Sequence, residues 1–436
     1  MISPALEQWL DDHINFETDK LSRRATMPTL ERMKTLCKFM GDPQEHVKTI
    51  HVTGTNGKTS TTRIAETLLR TKGLYTGMIC SPHLSVMNER ICLDGNPCTD
   101  FQLENAISFV RDVENSVKEV SQDRPSYFEI FVAAGFELMS EEAVDVGVIE
   151  VGMGGLYDAT NVCATEVAVV TNVELDHVAY LGDTREKIAK EKSGIIKAGN
   201  RVIIGEADEN IASIFVGAAK DVGATPLVVG EDFELLSNEQ AVGGRLLSIR
   251  TPYATYRDVF LPLFGPHQGS NAMVALVAAE SFIDSALGQE IVEEGFNAAR
   301  SPGRMEILQR EPLVLIDGAH NVAGAQTLAT ALNEEFERAR RIYVMGLTLE
   351  KDATAMINAL DIDNDDIVIA TAADSDRAMG VSELAKALNE AGIETVIEVD
   401  SASAAIENAR SLALDDDHII VTGSLYVVGE IRGTYG

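Results

Sequence analysis

The chain has 436 residues, and 36 Lys and Arg against 68 Asp and Glu give it a formal net charge of −32. A surface so acidic repels a phosphate backbone, which argues against nucleic-acid binding. No apolar run approaches the roughly 18–20 residues of a membrane span, and the length calls for two or three domains rather than one core.

In chain order, the start "MISPALEQWLDDHINFETDK" is acidic and lacks a basic segment followed by an apolar one, so no signal peptide is expected. The five cysteines (Cys37, Cys80, Cys92, Cys98, Cys163) show no C-x-x-C spacing. They suit a reducing, cytoplasmic setting without a zinc site. Next comes "HVTGTNGKTSTTRIAETLL", His51 to Leu69. Ile50, His51 and Val52 end a strand-like stretch, Thr53 to Gly57 are small or polar, and Lys58 to Leu69 carries Ile64, Ala65, Leu68 and Leu69 on one helical face. Strand, glycine loop, helix is the context of a phosphate cradle. Lys58 supplies a mobile charge, and Thr59 or Ser60 a hydroxyl for magnesium. The usual first glycine is missing, because five residues before Gly57 stands Val52.

Further on, "AVDVGVIEVG", "EVAVVTNV", "RVIIG", "PLVLIDG", "RIYVMG", "DIVIATA" and "HIIVTG" read as strands. Thr99–Val120, Thr184–Lys192 and Val381–Glu390 read as helices. This is an α/β chain with mainly parallel sheets. Gly243–Leu263 reads as an antiparallel hairpin, followed by a long helix in "GPHQGSNAMVALVAAESFI". The Pro-Gly segment "NAARSPGRMEI" is the linker candidate, dividing the chain into residues 1–300 and 301–436. Glu150 closes a buried-type strand beside the phosphate loop, where a magnesium ligand belongs. Asp176 and His177 close another, and His177 is equally a ligand or a hydrogen-bonded structural residue. Lys192, at a helix end, reads by itself as a solvated charge.

The motifs "GTNGKT", "SPHL", "EVGMGG…DATN", "LDH…LG", "EKSGI", "HQGSNA", "SPGRME", "IDGAHN" and "TGSLYVVGEIR" occur in the order of folylpolyglutamate synthase / dihydrofolate synthase, in the Mur ligase superfamily. The resemblance runs from about His51 to Arg432, and in that family the short G-x-x-G-K loop is normal. It implies a P-loop ATPase domain with a smaller Rossmann-like carboxyl-terminal domain. It also implies a ligase that phosphorylates a pterin or folate carboxylate with ATP and lets L-glutamate displace the phosphate; a cytoplasmic monomer is expected.

The resemblance also implies roles. Gly54, Thr55, Asn56, Gly57, Lys58, Thr59 and Ser60 resemble the ATP phosphate loop, and Asn271, Arg304 and Asp317 further ATP contacts. Ser81, Glu150 and His177 match magnesium ligands. Lys192 matches a lysine carbamylated in this superfamily, which helps to hold a second magnesium ion. Ser126, Tyr127, Phe128, Glu129, Tyr157, Asp158 and Ala159 match the pterin site, and His320 and Ser424 are glutamate-site candidates. Lys58, Lys192 and His320 are the expected catalytic residues. Two positions depart from the family pattern: Thr59, where many relatives have glycine, and Leu156, where many have arginine. A cell-wall ligase acting on a UDP-sugar precursor is the alternative, but only about fifty residues precede the loop, too few for a separate UDP-binding domain. A GTPase switch is disfavoured by the lack of an N-K-x-D motif.

Overall fold

The computed structural model describes residues 2–15 and 30–435, so the acidic opening stretch lies partly outside the described residues. Eight strands make the first sheet: β1 (Lys48–Thr53), β2 (Thr76–Ile79), β3 (Ile91–Leu93), β4 (Asn96–Pro97), β5 (Val146–Glu150), β6 (Ala164–Val170), β7 (Arg201–Ile204) and β8 (Thr225–Val228). Their order is β4-β3-β2-β5-β1-β6-β7-β8, parallel throughout except at the β3 and β4 edge. Both faces of β1 and β5 are buried, which is why these strands read as almost continuous apolar runs.

The chain leaves β1 toward β2 on one side and leaves β6 toward β7 on the other. The sheet order therefore reverses direction between β1 and β6, and a crevice opens at their carboxyl ends. Register brings Val52 level with Glu150 of β5, and Thr53 level with Val170 of β6. The helix Lys58–Thr71 buries the expected face, with Ile64, Ala65, Leu68 and Leu69 all 0% exposed. The helix Pro266–Ile283 packs against it and is buried on nearly every side, which accounts for its lack of a polar stripe.

The expected hairpin is in fact part of a three-stranded antiparallel sheet. β10 (Gly244–Arg250) pairs with β11 (Thr255–Leu261) and also with β9 (Glu234–Ala241). The sequence "ELLSNEQA" hides β9 because it is only partly covered and carries polar residues where a buried strand would be apolar. After the helix Gln289–Ala298, a linker that turns at Pro302–Met305 leads into β12 (Glu306–Arg310). With β13 (Leu313–Ile316), β14 (Arg341–Met345), β15 (Ile367–Ala370), β16 (Val396–Glu398) and β17 (His418–Thr422) it forms a second α/β layer, ordered β12-β13-β17-β14-β15-β16. Only β12 runs antiparallel there.

Candidate active site

The loop after β1 is built for close approach. A Cβ on Gly54 would lie 1.8 Å from Thr171 Oγ1, and one on Gly57 would lie 2.3 Å from Asn271 Oδ1. Gly57 also has φ +80° as it starts the helix, a conformation natural to glycine. The carboxyl end of β6 pins the loop in place: Thr171 Oγ1 donates to Asn56 O at 2.6 Å, and the Asn56 amide donates to Asn172 Oδ1 at 2.9 Å. Lys58 folds back over the loop, its Nζ 3.1 Å from both Gly54 O and Thr55 O. Burial pushes its pKa down, while Glu150 and Asp176 push it up.

The two candidate hydroxyls part company. Thr59 Oγ1 donates to Glu150 Oε1 at 2.8 Å, whereas Ser60 is turned away, its hydroxyl 2.8 Å from that of Ser301 in the linker. Glu150 is 2% exposed, and its Oε2 has no hydrogen-bond partner among the described residues. Burial raises its pKa against the pull of Lys58 and the Thr59 hydroxyl. Ser81 lines the same cleft, and His177 lies at its rim, an exposed residue with φ +49°. Among the described residues no group of three or more His, Cys, Asp or Glu side chains makes a metal cage. One buried carboxylate with an unused oxygen, beside hydroxyls, still fits magnesium, which takes one or two carboxylates and completes its shell with phosphates and water.

Lys192 overturns its reading as a solvated charge. It is 3% exposed, and its Nζ donates to Gly54 O at 2.7 Å. Burial, with the Lys58 charge next to it, pushes its pKa down to about 7. Its position as the last residue of the helix Arg185–Lys192 suggested exposure, because the helix has a weak apolar pattern; tertiary packing carries the side chain under the loop.

The second α/β layer closes over this loop. Asp317, just past β13, accepts from the Met305 and Ala319 amides at 2.9 Å each, and Arg304 lines the cleft beside it. His320 Nδ1 lies 2.8 Å from Gly318 O, and its Nε2 is 3.7 Å from Asp176 Oδ2. Two residues to which the sequence reading gave no role tie the layers together. Lys351 Nζ donates to Asp176 Oδ1 at 2.7 Å. Asn321 donates to Asn56 Oδ1 at 3.1 Å and to Asp176 Oδ2 at 3.2 Å while capping its own helix. Burial alone would raise the Asp176 pKa, but the surrounding His177, Lys351 and His320 hold it well below the usual carboxylate range. Asn321 sits inside "IDGAHN", and Lys351 follows the end of β14, so strand ends were the available signal.

Other expected residues stand elsewhere. Ser424 is buried, and its hydroxyl caps the helix Leu425–Gly433 by accepting from the Tyr426 amide at 3.2 Å. Ser126 and Glu129 form the capping box of the helix Tyr127–Glu141, and Glu129 also accepts from Arg32 Nε at 2.8 Å. Tyr127 is packed in the core, and Phe128 packs behind Gly152, a residue of the cleft wall. Tyr157 is half exposed, Asp158 accepts from the Met153 amide at 2.9 Å, and Ala159 is buried. This group flanks the cleft instead of lining it.

The cleft, of about 330 Å³, thus lies between a P-loop sheet and a second α/β layer, with cations and an acid facing its phosphate loop. That arrangement defines a Mur-type ligase, and the family comparisons agree: the Mur ligase middle domain matches residues 52–279, and the Mur ligase, glutamate ligase domain matches residues 303–425. The chain is 36% identical over 445 residues to the dihydrofolate synthase/folylpolyglutamate synthase of Mycobacterium tuberculosis, covering 94% of this chain and 90% of that one. It is 34% identical to the folylpolyglutamate synthase of Lacticaseibacillus casei, covering 92% and 93%. The crystal structure of M. tuberculosis folylpolyglutamate synthase complexed with ADP and AMPPCP superposes with a TM-score of 0.92 at 34% identity, covering 99% and 98%. The chain belongs to the folylpolyglutamate synthase / dihydrofolate synthase family of ATP-dependent ligases.

Proposed function

We propose that this chain joins L-glutamate to the carboxylate of a pteroate or folate, using ATP to make an acyl phosphate first. A carboxylate is a poor acyl donor because oxide leaves badly, whereas phosphate leaves well. The chemistry requires two anions to be held together, so charge neutralisation and alignment supply most of the catalysis. The observation that carries this reading is the convergence of Lys58, Lys192 and Arg304 on one cleft beside the unpaired Glu150 oxygen.

The loop amides and Lys58 bind the phosphates, and Asn271 backs Gly57 at the start of the helix. Thr59, Ser81, Glu150 and His177 would hold magnesium, which supplies charge neutralisation for the transferring phosphoryl group. Arg304 offers a planar cationic fork at the join of the two layers. His320 faces the same space from the second layer and is assigned to orienting the amino-acid substrate. Phe128, Tyr157 and their neighbours flank the cleft on the side assigned to the pterin.

Lys192 is assigned as a carbamate. An amine with its pKa near 7 is substantially neutral in the cell, and neutral amines attack carbon dioxide. The product carboxylate would place an anion beside Gly54 and support a second magnesium ion. The linker near residue 300 is the proposed division between the two functional units, residues 1–300 and 301–436. The five cysteines are free and buried, in keeping with a reducing cytoplasm, and no helix of the described residues is long and apolar enough to cross a membrane.

The test is phosphate release from ATP in magnesium, with L-glutamate and either dihydropteroate or tetrahydrofolate, and the mass of the product. Release that needs both the pterin and glutamate, with one glutamate added per phosphate, supports the proposal. Release driven only by a UDP-muramoyl peptide would assign the chain to cell-wall chemistry instead.

A further inference from the structure

A second, smaller pocket opens beside the nucleotide cleft and shares Thr59, Ser81 and Arg304 with it. Its walls come from four separate parts of the chain. The helix Lys58–Thr71 gives Arg63, the loop after β2 gives Cys80 and Glu89, the linker gives Arg304, and the helix Leu425–Gly433 begins over it with Leu425. The free volume of about 20 Å³ admits a group the size of one or two waters and excludes a pterin or adenine ring.

Two guanidinium groups and one acid line this pocket: Arg63, Arg304 and Glu89, whose Oε2 accepts from the Leu84 amide at 2.8 Å and the Ser85 amide at 3.3 Å. Glu150 in the adjoining cleft attracts both guanidinium groups without a hydrogen bond to either. Arg63 Nε is buried without a hydrogen-bond partner, and the contact of its Nη2 is the Cys80 sulfur at 3.9 Å. Among the described residues no carboxylate forms an ion pair with Arg63. A buried guanidinium donor without an acceptor is costly, and an anion in the pocket removes that cost.

The chemistry of the lining favours a carboxylate. Phosphate already has a cradle on the other side of Thr59, in the loop amides and Lys58. A planar guanidinium edge matches a planar carboxylate through two parallel hydrogen bonds. The pocket shares Thr59, Ser81 and Arg304 with the cleft assigned above to the acyl phosphate, so an amino acid anchored there would reach that cleft with its amine. Ser424, the sequence candidate for this task, spends its hydroxyl on a helix cap one residue from the pocket wall.

We propose that this pocket between the two layers receives a carboxylate of the incoming amino acid and that Arg63 is the residue that holds it. The assignment rests on the ligase reading above and deepens it. The test is titration calorimetry of L-glutamate into the full chain saturated with magnesium, a non-hydrolysable ATP analogue and the pterin acceptor. Wild type is compared with Arg63→Gln and Arg63→Lys, with thermal unfolding as the check on folding. Arg63→Gln should weaken L-glutamate by about 10- to 100-fold, the range for losing a charged hydrogen-bonded contact, and leave the analogue within about twofold. Arg63→Lys keeps the charge without the fork and should fall between. In turnover, the KM for glutamate should rise by the same factor while the KM for ATP and the pterin hold.

Unchanged L-glutamate affinity in folded Arg63→Gln overturns the assignment, and so does a wild type that does not bind L-glutamate. An equal loss of analogue affinity overturns it too, by giving the pocket to phosphate. If Arg63→Gln does not fold, Arg63→Lys decides by the same criteria. A wild type that binds L-glutamate through Arg63 but never turns over would refute the ligase reading alone.

Discussion

Lys192→Met keeps the length of a buried side chain and removes its amine. In the wild type that amine lies under the phosphate loop, 2.7 Å from Gly54 O, with its pKa lowered from 10.5 to about 7 by burial and by Lys58. At pH 7 about half of the Lys192 population is free amine, against roughly one in 3,000 for an ordinary lysine, an enrichment on the order of a thousandfold. That free amine is the form that carbon dioxide can carbamylate at neutral pH. Wild type given isotopically labelled bicarbonate should show one carbamate carbon resonance, fading as the pH falls below 7 and absent from Lys192→Met. The stability effect has a definite sign. The folded pKa lies below the unfolded one, so the fold disfavours the proton; the penalty is full below about pH 7 and is relieved as the pH rises toward 10.5. In carbon-dioxide-free buffer Lys192→Met should therefore be the more stable protein at low pH, by at most about 5 kcal/mol from the shift alone, and the two unfolding curves should converge above pH 10. No labelled resonance together with equal stabilities across this range would refute the reasoning.

Lys58→Ala should lower turnover by at least about a hundredfold while leaving thermal unfolding almost unchanged, because the side chain contacts loop carbonyls and little core; kinetics and a melting curve check both halves. Glu150→Gln should raise the magnesium concentration needed for half-maximal rate, since an amide oxygen is a weak ligand for a hard cation. The same change should leave the metal-free protein as stable or about 1–2 kcal/mol more so, because it removes a buried charge; a magnesium titration and chemical denaturation read these out. Gly57→Ala should cost about 1–2 kcal/mol from its positive φ and weaken ADP, because the new methyl meets Asn271 Oδ1; calorimetry with ADP decides.

The phosphate loop was legible because its chemistry is local. Glycines, a lysine and hydroxyls within seven residues, between a strand and a helix, define it without tertiary knowledge. Glu150 was legible for the same reason, as an acid ending an apolar strand next to that loop. Lys192 was not, since its burial comes from the packing of a distant helix under Gly54, and its own helix carries a nearly polar sequence. Ser60 and Thr59 looked equivalent in sequence, and only the direction of each side chain separates the Glu150 partner from the linker contact. The Lys351–Asp176–Asn321 contacts join residues 145 and 175 positions apart, beyond any periodicity. The strand β9 escaped notice because a half-covered outer strand need not alternate cleanly.

The central claim is that the acceptor carboxylate is activated as an acyl phosphate, and label transfer tests it most directly. The pterin acceptor carries heavy oxygen in both positions of its reacting carboxylate, the enzyme turns over with ATP, magnesium and L-glutamate, and the released phosphate is weighed by mass spectrometry. The account predicts one heavy oxygen in each phosphate and one left in the new amide. Phosphate free of label, formed alongside the amide product, would contradict it.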